Sequence, residues 1–182
     1  MEDSEFNTFI EGQKVDLMPM NTNHINLYVK WANNPRVRIY ARHVLPRTVQ
    51  QIKKYLENQK KKERTFIDFE IWLKVDKKPI GDIGLFNINW FDRKAYVGLT
   101  IGELECWGQG ICTEAVKLIT GYSFNELNLN KLYAYIYAPN IASFRCFEKN
   151  GYKCEATLKQ DVYINGEFLD TYLYSILKED WM

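Results

Sequence analysis

A strong net charge is the first thing this chain lacks. Its 24 basic and 23 acidic residues leave a formal +1 over 182 residues, so no global field draws it to nucleic acid or to a polycation. Direct nucleic-acid binding is therefore not expected. Histidine is scarce, at two residues, and the four cysteines (Cys106, Cys112, Cys146, Cys154) include no C-x-x-C pair. That excludes the familiar zinc spacings, and no metal is expected. No apolar run approaches the roughly 18 residues that a membrane span needs. The first residues carry no basic, apolar leader. With the cysteine usage, this predicts a cytoplasmic protein with reduced thiols. Repeats, low-complexity tracts and Gly/Ser/Pro-rich linkers are also missing. Residues 1–182 are thus expected to form one domain, long enough to bury a core without disulfides. A P-loop lysine and a Ser-His-Asp arrangement do not occur either.

What is present is an ordinary globular balance, 46% hydrophobic and 26% charged, with a high aromatic share of 15%. Many of the tyrosines fall in strand-like runs, where aromatics are favoured. Val15 and Leu17 alternate as a short strand ending at Pro19. Asn23 is placed to cap a helix carrying Ile25, Leu27, Tyr28 and Trp31, which Asn33-Asn34-Pro35 should end. Thr48 is placed to cap a second helix with Val49, Ile52, Tyr55 and Leu56 inward. Its outer face, Lys53, Lys54, Lys60, Lys61, Lys62 and Arg64, reads as solvated surface and argues against a polyamine acceptor there.

The period then changes to two. Phe69, Ile71, Leu73 and Val75 alternate with Glu70, Trp72 and Lys74, followed by a returning strand over 80–87 and another over 96–101. This predicts an antiparallel meander. A helix over 114–127 separates it from a strand over 131–137, so that strand should run parallel to 96–101 by a right-handed crossover. Asn140 is placed to cap a helix with Ile141, Phe144 and Phe147 on one face, stopped at Gly151. A long hairpin, 152–164 with 168–177, turns on Asn165-Gly166. The predicted order is β-α-α-β-β-β-α-β-α-β-β, a mixed-sheet α/β fold.

The segment Trp107-Gly108-Gln109-Gly110-Ile111-Cys112-Thr113 lies between a strand-like and a helix-like run. Glycines there leave backbone N–H groups bare, and a helix start adds roughly half a positive charge. Such a bend seats a phosphate group.

Together with Asn140-Ile141-Ala142-Ser143 and Phe147-Glu148-Lys149-Asn150-Gly151-Tyr152, this bend resembles the GNAT superfamily of acyl-CoA-dependent N-acetyltransferases. The resemblance is closest to the RimJ/RimL branch, which acetylates the N-terminal amino groups of ribosomal proteins. It extends from Gly12-Gln13-Lys14-Val15-Asp16-Leu17-Met18-Pro19, similar to that branch's first strand, to a closing hairpin that includes Asp170. Some residues depart from the pattern, among them Asn34, where an Asp is usual. Trp107 stands where the broad superfamily has Gln or Arg, and Cys112 replaces the usual Gly or Ala.

The resemblance implies a splayed parallel strand pair that holds acetyl-CoA and no metal. The implied contacts are Trp107, Gly108, Gln109, Gly110, Ile111, Cys112 and Thr113 at the pyrophosphate. Leu99, Thr100 and Ile101 would pair with the pantetheine arm, and Asn140 and Ser143 would stand near the acetyl group. Ser143 is the implied acid that protonates the departing thiolate, because Phe147 replaces the tyrosine many relatives use and has no proton to give. The base is open between Asp161, which needs a bulge to turn inward, and Glu103, with Glu105 beside it. Solvated surface charge is the plain alternative for these. His24 reads as a surface residue and His43 as a candidate for the acceptor cleft. Neither Cys112 nor Cys146 is needed as an acyl carrier. The acceptor is an amine, either a protein N-terminus or a small molecule. A CoA-binding module without catalysis, and a homodimer, complete the expectations.

Overall fold

The structure, a computed structural model, describes residues 8–42, 44–59 and 65–181. Among these residues seven strands form one sheet in the order β1-β2-β3-β4-β5-β7-β6. They are β1 Val15–Pro19, β2 Ile67–Leu73, β3 Lys78–Asn89, β4 Lys94–Ile101, β5 Lys131–Tyr137, β6 Lys153–Ile164 and β7 Glu167–Leu177. The β2–β3–β4 meander is antiparallel, and β4 and β5 run parallel, as the period-two pattern and the intervening helix predict. The mixed α/β architecture is therefore as expected.

Among the described residues five α-helices cover the sheet, one more than the pattern suggests: α1 Ile25–Asn33, α2 Pro35–Ala41, α3 Val49–Gln59, α4 Ile111–Asn125 and α5 Ile141–Lys149. The extra one is α2. Asn34 does end α1, but its side chain also accepts from the Arg36 N–H at 2.9 Å, and Pro35 takes the first helical position. One Asn-Pro pair is both a stop and a start. The cap before α1 is likewise Asn21, which accepts from the Asn23 N–H at 2.9 Å and opens a 3-10 turn, Thr22–His24. Thr48 caps α3 as expected, accepting from the Gln51 N–H at 3.2 Å, while Gln51 accepts in return from the Thr48 N–H at 2.9 Å.

The sheet has two unlike faces. Phe69, Ile71, Ile83, Val97, Leu132 and Ile136 pack with Ile111, Ala115, Ile119 and Phe124 of α4 in the main core. Each fully buried side chain of this kind contributes roughly 1.5–3 kcal/mol. The other face lies under α1–α3. There Ile25, Tyr28, Trp31 and Leu56 form a second cluster, and Trp31 lies so close to Gly102 that a Cβ would collide with its ring. The hairpin turn has φ 52° at Asn165 and 92° at Gly166, as a two-residue turn of this hand requires.

Candidate active site

The parallel pair of β4 and β5 holds together for three residues only: Lys94 with Lys131, Ala95 with Leu132 and Tyr96 with Tyr133. Beyond Tyr96 the strands part, because β5 continues along β7 as far as Tyr137 opposite Thr171. Residues 97–101 of β4 thus pair with β3 on one side and have no strand on the other. The gap opens into a cleft of about 540 Å³ lined by Leu99, Thr100 and Ile101 on one wall and Asn140, Ala142 and Ser143 on the other. Trp107 closes one end. Its indole N–H donates to the Ile101 carbonyl at 2.9 Å, and Tyr40 of α2 packs edge-on against its ring at 5.9 Å.

The glycine bend runs into this cleft. Gly108 and Gly110 have φ of 78° and 80°, the left-handed region that other residues enter at a cost. Gly110 is the residue before α4 and offers no side chain to cap it. The first-turn amides of Ile111, Cys112 and Thr113 are therefore left to a ligand, at the positive end of a 15-residue helix. Gly108, Gly110, Ile111, Cys112 and Thr113 all line the cleft. Gln109 does not: its side-chain amide turns back to the Glu105 carbonyl at 2.7 Å, and its own carbonyl accepts from Lys14 Nζ at 3.1 Å. The side chain thus braces the bend, whereas the contact expected of Gln109 is a backbone one. Arg145 and Lys149 of α5 also line the cleft, two cations that the motif reading passed over.

Asn140 begins α5 by accepting from the Ser143 N–H at 3.2 Å, which places Ser143 in the first turn, among the residues that line the cleft. Ile141 is not inward as its spacing with Phe144 suggested; it is exposed and lines the cleft mouth. Phe147 is buried against Tyr152, ring centroids 4.9 Å apart, away from the cleft lining. Asn150 ties α5 to α4 by donating to the carbonyls of Thr113 at 3.0 Å and Cys146 at 2.9 Å. A hydrogen bond with Cys112, then burial, pushes the Cys146 thiol far above its ordinary range. A thiol held protonated in this way is a poor acyl carrier. Among the described residues no group of three or more His, Cys, Asp or Glu side chains is placed to hold a metal ion.

A splayed strand pair, an uncapped helix start and cations on the facing helix fit a thioester carrier with a diphosphate. The family comparison agrees: residues 14–153 match the model described as an acetyltransferase (GNAT) domain. The chain belongs to this family. It is an acetyl-CoA-dependent N-acetyltransferase, with acetyl-CoA as cosubstrate. Among similar proteins, "Probable N-acetyltransferase YjcK" of Bacillus subtilis is 34% identical over 131 residues, 71% of each chain. YdaF of the same organism, named as a candidate ribosomal N-acetyltransferase, is 34% identical over 112 residues, 62% of this chain and 61% of that one. The spermidine N(1)-acetyltransferase of Escherichia coli is 29% identical over 120 residues, 66% of this chain and 61% of its own. In structure, the Vibrio cholerae spermidine N-acetyltransferase in complex with CoA and spermine superposes with a TM-score of 0.85 at 22% identity, covering 93% of this chain and 98% of that one.

In this GNAT domain the expected bases stand elsewhere than the cleft. Glu103 accepts from Lys30 Nζ at 2.8 Å and from the Trp31 indole at 2.8 Å. Partial burial raises its carboxyl, but these hydrogen bonds and the Lys30 charge outweigh it and hold the group below the usual range. Glu103 thus anchors α1 to the turn after β4. Asp161 does sit in an irregular stretch, where β6 carries two more residues than β7 between the pairs Leu158–Thr171 and Val162–Leu169. The extra residues bulge outward, so Val162 is buried and Asp161 is exposed, apart from the cleft lining. Glu105 is exposed near Lys78. His24 is not a bare surface residue: its Nδ1 lies 2.7 Å from Glu70. His43 and the cations at 60–62 and 64 lie outside the described residues, while Lys53 and Lys54 are exposed.

The pattern reading also missed three carboxylates on the sheet face beneath α1–α3. Glu70, only 1% exposed, accepts from the Trp72 indole at 2.6 Å, from His24 and from the Tyr28 hydroxyl. Asp68 accepts from the Tyr55 hydroxyl at 3.0 Å. Asp82 is half-buried beside both, and burial, then the charges of Asp68 and Glu70, push its carboxyl up to about 7.

Proposed function

We propose that the acceptor of this acetyltransferase is a single α-amino group at a protein N-terminus, of the kind the RimJ/RimL branch acetylates. The observation that carries the reading is the occupation of the acceptor-side carboxylates. Glu70 already satisfies three donors, Asp68 takes the Tyr55 hydroxyl and Glu103 takes Lys30 and Trp31. A long polycation needs several carboxylates free to meet its several charges, whereas one α-amine needs one. The α-amine also titrates near pH ~8, against ~10.4 for a lysine-like amine, so modest base strength suffices. The similarity to YdaF points the same way.

In this reading acetyl-CoA supplies the activated acyl group. The amides of the 108–113 bend hold its diphosphate, and the open edge of β4 aligns its arm as an added strand. Ser143 gives a proton to the departing sulfur. A second reading, a small cationic amine, is favoured by the spermidine acetyltransferases among the similar proteins. We further infer a homodimer in the cytoplasm. Of the described residues, no helix is long and apolar enough to cross a membrane.

The deciding experiment is mass-spectrometric detection of acetylated product after incubation with acetyl-CoA and, separately, peptides with free N-termini, spermidine, an aminoglycoside and an amino sugar. Acetylation of peptides at the α-amine supports the first reading. Acetylation of spermidine alone replaces it with the second, and binding of CoA without any product leaves a non-catalytic module.

A further inference from the structure

With Glu103 tied to Lys30 and Trp31, and Asp161 exposed on the outer hairpin strand, the amine still needs a proton acceptor. The sheet register supplies one. Glu70 of β2, Asp82 of β3 and Thr100 of β4 stand directly opposite one another. Opposed residues project from the same face, with Cβ atoms roughly 4.5–5.5 Å apart. Thr100 lines the cleft, on the stretch of β4 that β5 has left. Asp82 does not itself line the cleft, but it stands one strand away from Thr100, which does, on the face under α1–α3. The other face is filled by the α4 core, so the acceptor enters on the Asp82 side.

We propose that Asp82 is the general base, taking a proton from the acceptor ammonium directly or through one water beside Thr100. This rests on the acetyltransferase reading above. The nitrogen loses two protons overall. The first passes to Asp82 and on to water, and the freed lone pair forms the C–N bond to the acetyl carbon while the C–S bond breaks. The second is lost as the amide forms, and is balanced by the proton that the departing sulfur takes up.

The surroundings suit the task. Asp68 and Glu70 face Asp82 from β2, Tyr28 faces it from α1, His24 approaches from the turn before α1 through Glu70, and Tyr55 of α3 is bound to Asp68. No cation of the described residues is paired with Asp82. Burial and the two acidic neighbours bring its carboxyl to about 7, where a base is both ionised and effective near neutral pH. Glu70 does not compete, because its oxygens are taken by Tyr28, Trp72 and His24. His24, at 23% side-chain exposure, carries that network to the surface.

The test compares the native chain with Asp82→Asn and Asp68→Asn from pH 5 to 9, using spermidine and a peptide with a free N-terminal serine. Carboxyl-carbon NMR follows Asp82 in the free protein. Asp82→Asn is expected to lower kcat on the order of 10²-fold or more, to leave the acetyl-CoA dissociation constant within about twofold, and to abolish the rise in rate through pH about 7. Asp68→Asn is expected to keep the plateau and move that rise to lower pH, since one charge that raises Asp82 is gone. The Asp82 carboxyl itself should titrate near 7 without any acceptor. An Asp82→Asn enzyme with native kcat and pH profile overturns the proposal, as does an Asp82 carboxyl that titrates in the ordinary range. A native chain that binds acetyl-CoA and acetylates neither amine overturns the acetyl-transfer reading instead, and the base with it.

Discussion

The indole N–H of Trp107 donates to the main-chain carbonyl of Ile101, 2.9 Å away. The bond joins the last residue of β4 to the residue before the glycine bend, so one ring sets the distance between the open strand edge and the helix start. Trp107→Phe keeps the ring and removes the donor. An unsatisfied carbonyl costs roughly 1–3 kcal/mol. The expected result is acetyl-CoA affinity weakened by up to roughly 5- to 150-fold, read by titration calorimetry. Unchanged affinity would show that the indole does not hold the cleft open.

Ser143 separates structure from chemistry cleanly. The bond that starts α5 uses its backbone N–H, which donates to Asn140, and leaves the hydroxyl out of the cap. Ser143→Ala should therefore preserve Tm and CoA binding. If the hydroxyl protonates the departing thiolate, kcat falls on the order of 10²-fold, most strongly with acyl donors whose thiol leaves poorly. Native turnover by this variant would remove Ser143 from the acid role.

Glu103 makes the opposite prediction. Its carboxylate binds the Lys30 ammonium and the Trp31 indole, so Glu103→Gln should cost stability rather than chemistry. Losing hydrogen bonds to a charged group costs roughly 1.5–3 kcal/mol, a Tm drop of roughly 3–10 °C for a chain of this size. The folded-state carboxyl is lowered from its ordinary value. Its contribution is then full above the unfolded value of 4.5 and is lost as pH falls through the folded one. The gap in Tm between native and variant should close on acidification below about pH 4.5. A variant with native Tm and lost kcat would return Glu103 to the candidate bases.

Much of this arrangement is legible in the chain. The meander follows from strict alternation at Phe69, Ile71 and Leu73, and the final hairpin from Asn165-Gly166, whose positive φ values a two-residue turn demands. The phosphate seat follows from Gly108 and Gly110 before an apolar helix. Other parts were hidden for physical reasons. The Asn34-Pro35 pair reads as a stop, yet the same cap chemistry starts α2 and so brings Tyr40 over the cleft. The parting of β4 from β5 leaves no trace in either strand's pattern, since it lies in the pairing: β5 follows β7 to Tyr137 while β4 beyond Tyr96 keeps only β3. Alternation assigned Glu70 to the face opposite the main core. It does not say that α1 and α3 cover that face, which is what buries Glu70 and raises Asp82.

The raised Asp82 carboxyl has a consequence for stability as well as for rate. In the unfolded chain the group ionises near 3.8, and in the folded chain at about 7. Below 3.8 both states are protonated and the difference contributes nothing. Between the two values the folded chain holds a proton that the unfolded chain has lost, so stability falls as pH rises across this window. Above about 7 the full penalty of ionising a half-buried acid beside Asp68 and Glu70 is present. Asp82→Asn, neutral at every pH, should therefore unfold at a higher temperature than the native chain at pH 8, with the advantage shrinking steadily toward pH 4. Calorimetric melts of both chains at four pH values would measure this. A difference in Tm that stays constant with pH would mean that Asp82 ionises like a surface carboxylate, leaving neither a strained charge nor a base tuned to neutrality.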